Sequence, residues 1–244
     1  MTLTRKIIET TTALLGRAKR SRRITPPAQS SDVLLNVGCG LAVAEGWVNV
    51  DGSLNALFAS WPRAMHRILY RLSGASQYYT MDEYCRLLGS HTFVHHNLSY
   101  GVPFADGCAH FIYTSHFLEH LPRETAATLL KESHRVLRPG GVLRVCVPDL
   151  AHAVSLYPEG RERMLDNYFF VEEGDSSYAR HRYMYDFELL ERVLREAGFE
   201  EITRCEYRQG KTPNLNVLDN RPDETLFVEA IKPEDADTLP TSGD

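Results

Sequence analysis

The stretch Val33-Leu34-Leu35-Asn36-Val37-Gly38-Cys39-Gly40 decides how the rest of the chain is interpreted. Its apolar half has the length of a short buried strand, and the two glycines after it permit a tight turn and a close approach of the backbone to a ligand. A strand that ends in Gly-x-Gly is typical of parallel α/β sheets, but a plain turn can have the same sequence. The surrounding pattern has to separate the two interpretations.

Beyond the glycines, apolar strands alternate with helical periodicity, which is the order that builds a parallel sheet. The pattern predicts strands at residues 33–37, 47–51, 92–97, 110–115, 142–147, 201–207 and 225–231. It predicts one helix over residues 122–137 and a second one that is capped by Asp186 and ends at Gly198. Residues 54–90 and 150–185 are helical and follow strand ends, where open α/β sheets bind ligands. We therefore expect these two segments to form a substrate cap.

The N-terminal arm differs in charge from the rest of the chain. Residues 1–25 hold seven basic residues and one acidic residue, a net charge of +6; because the whole chain carries −5, the remainder carries −11. Apolar or small residues recur there at helical spacing, at Leu3, Ile7, Ile8, Thr11, Leu14, Leu15 and Ala18. Residues 1–31 are thus predicted to be a basic amphipathic helix, packed on its own domain or on a partner, with a linker from residue 24. A membrane-surface helix formed by residues 1–23 is the alternative.

The domain itself is predicted to span residues 32–232, followed by a disordered acidic tail at residues 233–244. Five scattered cysteines without a Cys-x-x-Cys spacing indicate reduced thiols rather than disulfides or a zinc site. No apolar run approaches the ~20 residues of a membrane span, and a secretory signal is missing. We expect a cytoplasmic protein, peripheral at a membrane only if the arm binds one. The acidic body argues against nucleic acid as a partner. Oligomeric state has no visible signature.

Further motifs lie at the ends of the other predicted strands. Asp51 ends the second strand, where a carboxylate can accept two hydrogen bonds from a ribose diol. Pro103-Phe104-Ala105-Asp106 precedes the fourth strand, Leu118-Glu119-His120-Leu121 follows it, and Leu137-Arg138-Pro139-Gly140-Gly141 precedes the fifth. Each motif is common alone, whereas the ordered set is specific.

In this order the motifs resemble those of class I S-adenosylmethionine-dependent methyltransferases, over roughly residues 32–232, within the type-11-like group that acts on small molecules. The resemblance implies an α/β fold, a Rossmann-like three-layer sandwich with helical insertions. Its mostly parallel sheet would have seven strands in the order 3-2-1-4-5-7-6, with strand 7 antiparallel. S-adenosylmethionine would be the cofactor.

The resemblance also implies where the cofactor binds. The residues that it places there are Asn36, Gly38, Cys39 and Gly40 at the methionine part, Asp51 and Gly52 at the ribose, Asn97 and Leu98 at the adenine, and Ser115 and His116 beneath the sulfonium. Asn36 and Asn97 stand where the family commonly has acids; the Asn97 carbonyl oxygen can still accept a hydrogen bond from the adenine amino group. Only eleven positions separate Gly40 from Asp51, room for barely one helical turn.

Histidines near the predicted site are candidates for proton transfer. His116 and His120 are the catalytic candidates, since an imidazole can take a proton from an acceptor hydroxyl; alternatively, His120 only caps or packs within its motif. The segment before the last helix offers Arg180, His181, Arg182 and Tyr183 as substrate residues. They would bind an anionic or sugar-like acceptor. A solvated loop in front of the Asp186 cap is the alternative.

We expect no metal here, with one weaker alternative. His116-Phe117-Leu118-Glu119-His120 looks like the Glu-x-x-Glu-His element by which some ubiquinone-pathway and small-RNA 3′-end methyltransferases hold a metal. If the segment were helical, His116, Glu119 and His120 would share one face and could hold Zn, Fe or Mn. A distant residue such as His152 or His181 would have to complete the site.

Together these residues predict a methyltransferase that modifies an oxygen or nitrogen atom of a small-molecule acceptor. A non-catalytic S-adenosylmethionine-binding or regulatory module and a nucleic-acid methyltransferase guided by the basic arm are the alternatives. A nicotinamide dehydrogenase is disfavoured, because Val43 stands where Gly-x-Gly-x-x-Gly needs its third glycine.

Overall fold

A seven-stranded sheet runs through the centre of the protein. The computed structural model describes residue 12 and residues 14–25, 32–72, 74–158, 160–169 and 180–234. The strands are β1 (Leu34–Val37), β2 (Val48–Asp51), β3 (Thr92–His95), β4 (Ala109–Ser115), β5 (Leu137–Pro148), β6 (Glu200–Cys205) and β7 (Thr225–Ile231). Their order is β3-β2-β1-β4-β5-β7-β6, and β7 is antiparallel to β5 and β6 while the other pairs are parallel. The topology predicted from the motifs is confirmed.

Helices cover the sheet and fill the connections between its strands. In the described part of the chain they are α1 (Leu54–Phe58), α2 (Arg63–Leu72), α3 (Met81–Ser90), α4 (Arg123–Val136), α5 (Leu150–Ser155), α6 (Arg161–Met164), α7 (Phe187–Glu196) and α8 (Leu215–Leu218). Single turns occur at Ala75–Gln77, Leu98–Tyr100, Leu118–His120 and Leu165–Phe169. The Asp186 carboxylate caps α7 as predicted, accepting the Leu189 N–H at 2.8 Å. Residues 54–90 are helical as predicted; in the structure they connect β2 to β3 and pack on Phe93 of that strand.

Alternating residues of the central strands face two separate cores, as the period of two in a strand requires. Ile112 of β4 and Val145 of β5 belong to the larger core, which the apolar faces of α4 and α7 complete. The next residues along, Tyr113 and Cys146, belong to a second core on the opposite face, with Trp47 and helix α8. The protein is therefore the three-layer sandwich that the sequence predicts.

The connection from β1 to β2 contains no helix in residues 38–47, all of which the structure describes. Gly38, Gly40 and Gly46 each adopt a positive φ there, so the chain reverses through tight turns instead. Strand β5 starts at Leu137, five positions before the predicted start, because Leu137 pairs with Ala109 across a register shift. Pro139-Gly140-Gly141, which the sequence pattern places between the helix and the strand, therefore lies within β5.

The N-terminal arm packs on the domain only partly through the predicted stripe. Residues 14–18 are helical; Leu14 and Ala18 of the stripe are exposed, Leu15 is half-buried, and Gly16, which is not part of the stripe, is buried. The predicted linker begins at Ile24, whose backbone pairs with the chain at Phe104 through two hydrogen bonds of 2.8 and 3.1 Å. Leu3, Ile7, Ile8 and Thr11, the rest of the linker and residues 235–244 lie outside the described residues. Across the part of the chain that the structure describes, none of the helices is long and apolar enough to cross a membrane.

Candidate active site

The turn after β1 and the end of β2 form one corner at the carboxyl edge of the sheet. The Asp51 carboxylate stands in this corner and accepts the Gly40 N–H through Oδ2 at 2.9 Å and the Ser53 N–H through Oδ1 at 2.7 Å. Two backbone amides thus orient the side chain, while each oxygen keeps a lone pair for another donor. The side chain is half-buried, so a diol bound at the corner has access to it.

The two glycines of the turn have different roles. Gly38 has φ 71° and lies against Phe117; a Cβ atom there would come within 2.2 Å of the phenyl ring. Gly40 has φ 52°, and no described atom lies within 4 Å of where its Cβ would be. The space beside Gly40 and Asp51 is therefore open to a ligand. Cys39 lies buried between the glycines, where burial and, to a smaller extent, Asp51 raise the pKa of its thiol.

Asn36 supports this turn from below the edge of the sheet. Its buried amide donates through Nδ2 to the Ala42 carbonyl oxygen at 2.7 Å and to Asn49 Oδ1 at 3.1 Å. Asn49, in turn, donates to the carbonyl oxygens of Trp47 and Thr92. The Asn36 Nδ2 group is thus engaged within the protein and positions the turn.

The corner after β3 is covered by the N-terminal arm. Asn97 caps the turn Leu98–Tyr100, and its Oδ1 accepts the Ser99 N–H at 3.0 Å, so one lone pair remains for the adenine contact that the resemblance implies. A Cβ atom at Gly16 would lie 2.7 Å from Cβ of Asn97. The Lys19 ammonium donates to His95 Nδ1 at 3.2 Å. Leu98 is buried below.

The residues at these corners fit S-adenosylmethionine. A half-buried carboxylate that is already oriented by two amides suits a ribose diol, and the open space at Gly40 permits the close approach of the methionine part. Gly52 leads from Asp51 toward Asn97 and packs on the His96 carbonyl oxygen, where a Cβ would be at 3.4 Å. When bound, the cofactor would supply a reactive methyl group on a sulfonium, and these residues would hold it in position.

Next to this corner, the end of β4 carries Ser115 and His116. His116 has a left-handed backbone, with φ 48°, which is uncommon for a residue with a side chain. Its N–H donates to the Cys146 carbonyl oxygen at 2.9 Å, and its Nε2 is hydrogen-bonded to the Thr225 hydroxyl at 3.0 Å. The imidazole is therefore held at the carboxyl edge, where the neighbouring strands β4, β5 and β7 meet. No motif pointed to Thr225, which lies 109 positions away in the chain.

Glu119 lies at the centre of a group of histidines. It is fully buried, and neither carboxylate oxygen has a hydrogen-bond partner among the described residues. Its Oε1 is 3.5 Å from His116 Nδ1 and 3.7 Å from His120 Nε2. The segment is not α-helical as the metal hypothesis supposed: only Leu118–His120 forms a turn, and His116 precedes it. The three side chains converge through this turn instead.

The segment 180–183 folds over Glu119. The Glu119 carbonyl oxygen accepts the N–H groups of Arg182 and Tyr183 at 2.7 and 3.2 Å, which brings the His181 ring to 5.2 Å from the His120 ring, centroid to centroid. Burial is the main reason why the pKa of His181 is lowered. The four predicted substrate residues therefore lie in different surroundings. His181 belongs to the histidine group, whereas Arg180 and Arg182 are exposed. The Tyr183 ring packs against the Arg123 guanidinium, 4.8 Å from the ring centroid.

A cleft of about 340 Å³ opens beside Thr225 at the same edge of the sheet. It is lined in part by Asp149, His152 and Arg204, and the Arg204 guanidinium donates to Asp149 Oδ2 at 2.8 Å. Arg204 was not a candidate from the sequence. It lies on β6, where none of the sequence motifs occurs. Only the order of the strands shows that it lies beside the cleft.

The chain is similar to one family model and to several solved structures. A family model described as a methyltransferase domain matches residues 9–203. A methyltransferase from Haloferax volcanii, solved in complex with the Trm112 methyltransferase activator, is 15% identical, covering 94% of this chain and 93% of that one with a TM-score of 0.48. A SAM-dependent methyltransferase from Thermotoga maritima is 17% identical, with coverages of 91% and 90% and a TM-score of 0.46. No curated protein matches the chain.

The family match extends over most of the chain and includes the glycine turn, Asp51 and the histidine group. The order and directions of the strands are those that the motifs imply. The chain therefore belongs to the methyltransferase-domain family and is a class I S-adenosylmethionine-dependent methyltransferase.

Proposed function

We propose that the enzyme methylates an oxygen or nitrogen atom of a small-molecule acceptor that binds over the carboxyl ends of β4 and β5. The observation that carries the proposal is the group of three histidines around Glu119, next to the Gly40–Asp51 corner where the cofactor would bind. A hydroxyl or protonated amine has to lose its proton at some stage of methyl transfer, and an imidazole is the side chain best suited to take it near neutral pH.

His116 is the residue to which we assign proton transfer. Its position directly after β4 would place it closest to the sulfonium, and its ring is oriented by the Thr225 hydroxyl at Nε2. The Glu119 carboxylate, 3.5 Å from Nδ1, would stabilise the imidazolium once the proton has arrived. Nε2 is then the nitrogen that receives the proton, from the acceptor or through the Thr225 hydroxyl. The remaining catalytic effect comes from holding the acceptor in line with the methyl group.

The surroundings of the histidine group favour a small acceptor. The cleft beside Thr225 lies within the range of about 300–1,000 Å³ that is usual for small-molecule sites. Exposed Arg180 and Arg182 provide positive charge for an anionic or sugar-like group. We assign the cap to residues 150–185, because Arg182 and Tyr183 of that segment contact Glu119, and expect residues 54–90 to contribute only through exposed aromatic residues such as Tyr78. Residues 159 and 170–179 of the cap lie outside the described residues.

The test combines cofactor binding with a substrate screen. Calorimetry should show binding of S-adenosylmethionine and of S-adenosylhomocysteine. A panel of phenols, hydroxy acids, sugars and amines is then followed by S-adenosylhomocysteine release. With an active acceptor, His116→Gln should lower kcat by about 10²–10⁴-fold and leave cofactor affinity within a few-fold.

Other outcomes would redirect the proposal. Cofactor binding without turnover of any compound would favour a regulatory module. Salt-dependent methylation of RNA or DNA would favour the nucleic-acid alternative. Unchanged kcat in His116→Gln would remove the proton-transfer role but not the choice of acceptor.

A further inference from the structure

The most unusual group in the structure is the Glu119 carboxylate. Taking an ionised carboxylate out of water is unfavourable by several kcal/mol unless a positive charge or hydrogen-bond donors compensate for it. Glu119 is fully buried, and the described residues offer neither of its oxygens a hydrogen bond. The backbone carbonyl oxygen of the same residue accepts the N–H groups of Arg182 and Tyr183, so the backbone around it is held in place. Among the described residues, two imidazoles at 3.5 and 3.7 Å from Oε1 are near enough to compensate for its charge, and neither is hydrogen-bonded to it.

The His120 imidazole stands at a distance from Glu119 that suits two ligands of one metal ion better than a hydrogen bond. Oε1 of Glu119 is 3.7 Å from Nε2 of His120, which is beyond hydrogen-bond distance. Two ligands that each lie ~2.0–2.2 Å from one Zn²⁺ ion are about 3.3–3.6 Å apart in tetrahedral geometry. Glu119, His120 and His181 each place one potential ligand atom within 4.8 Å of those of the other two. A small contraction of the group would bring all three to one ion.

The other nitrogen of each imidazole is already engaged in the way that metal-binding histidines require. His120 Nδ1 is 3.2 Å from the Arg180 carbonyl oxygen, and His181 Nδ1 is 2.6 Å from the Tyr168 carbonyl oxygen. A carbonyl oxygen can only accept, so both Nδ1 atoms must carry the proton. In a neutral ring, Nε2 then keeps its lone pair. Such a hydrogen bond to a backbone carbonyl fixes the tautomer and orientation of most metal-ligating histidines.

We propose that Glu119, His120 and His181 bind one divalent transition-metal ion, with Nε2 of each histidine as ligand. Two imidazoles and one carboxylate favour Zn²⁺, Fe²⁺ or Mn²⁺ over Mg²⁺, which prefers oxygen ligands and bound water. This set differs from the one that the sequence suggested, because His181 replaces His116. His116 also faces Glu119 through Nδ1, but it lies outside the group whose potential ligand atoms are all close to one another.

Three protein ligands leave at least one coordination position open, as in metal sites that bind a substrate or water. The open position would accept an oxygen or nitrogen atom of the acceptor, close to His116. This consequence rests on the proposed function, whereas ion binding itself does not. The two parts can fail separately, since ion binding is measured without any acceptor or cofactor.

The full chain, purified without a histidine tag and stripped with a chelator, should bind Zn²⁺ at one equivalent in equilibrium dialysis with elemental analysis. Co²⁺ should give a visible absorption spectrum that Zn²⁺ abolishes. Zn²⁺ should also raise the Tm, because an ion that binds only the folded state stabilises it. Affinity should fall by at least about tenfold in Glu119→Gln, His120→Asn and His181→Asn. His91→Asn, the same change at the end of α3, should bind like the wild type.

The proposal is overturned if the stripped wild type binds no ion at micromolar Zn²⁺, or if His120→Asn and His181→Asn bind as the wild type does. Glu119→Gln replaces a buried group and can lower folding yield, so the two partly exposed histidines carry the test independently. Unchanged binding of S-adenosylmethionine by a chain that binds no ion would leave the proposed function in place.

Discussion

At the scale of single residues, the corner formed by Gly40 and Asp51, where the cofactor would bind, depends on one carboxylate with two roles. Asp51 holds the turn together by accepting the Gly40 and Ser53 amides, and the same oxygens would receive the ribose hydroxyls. Asp51→Ala should therefore weaken binding of S-adenosylmethionine by roughly 1.5–3 kcal/mol, about ten- to a hundredfold in Kd by calorimetry. Asp82→Ala, on the exposed start of α3, is the matched control and should bind normally.

Two further results would separate the roles of Asp51. Asp51→Asn keeps an oxygen for the Gly40 amide, so it should fold like the wild type and still bind the cofactor less tightly. If Asp51→Ala is folded and has wild-type affinity, the carboxylate does not contact the ribose.

At the scale of elements, the sequence pattern predicted the bounds of helices and strands well where residues of the element itself determine them. Strand β7 is found where it was predicted, and α4 and α7 lie within one residue of their predicted ends wherever a cap or proline marks them. Strand β5 starts earlier because its first pair, Leu137 with Ala109, depends on a partner strand that periodicity cannot show. The same holds for the candidate site. The sequence alone places Glu119 beside His120, but only the tertiary fold brings His181 to them.

The N-terminal arm is the element whose predicted role changes most. Because the arm precedes the first strand, the sequence predicts that it is dispensable for cofactor binding. Its contacts with Asn97 and His95 favour a different prediction, in which it covers the corner after β3 where the adenine would bind. Gly16→Leu should displace it, because a Cβ there already meets Asn97 at 2.7 Å. We expect a several-fold weaker affinity for S-adenosylmethionine by calorimetry, with the fold retained by circular dichroism. Ala18→Leu, exposed on the same turn, should have no effect; equal affinities for both variants would restore the original prediction.

At the scale of the whole molecule, buried histidines make stability depend on pH. Burial is the main cause that lowers the pKa of His95, His96, His110 and His134, and the pKa of His96 falls to about 4 with further contributions from His95, Arg22, Arg23 and Lys19. Neither ring nitrogen of His96 has a hydrogen-bond partner in the described part of the chain. The folded protein therefore holds His96 neutral, although the unfolded chain can protonate it.

The sign of the effect follows from proton counting. Between pH 6.5, the ordinary pKa of a histidine, and pH 4, the unfolded chain binds more protons at His96 than the folded chain does, so the free energy of unfolding falls as the pH is lowered. One such group contributes a slope of at most about 1.4 kcal/mol per pH unit, and above pH 6.5 its contribution is constant. His96→Phe removes the titration without losing a hydrogen bond. Urea denaturation from pH 8 to 4.5 should thus show a shallower decline for the variant below pH 6.5 and parallel curves above it. Identical slopes throughout would mean that His96 is protonated in the folded protein as readily as in the unfolded chain, and that the arm's positive charges do not act on it.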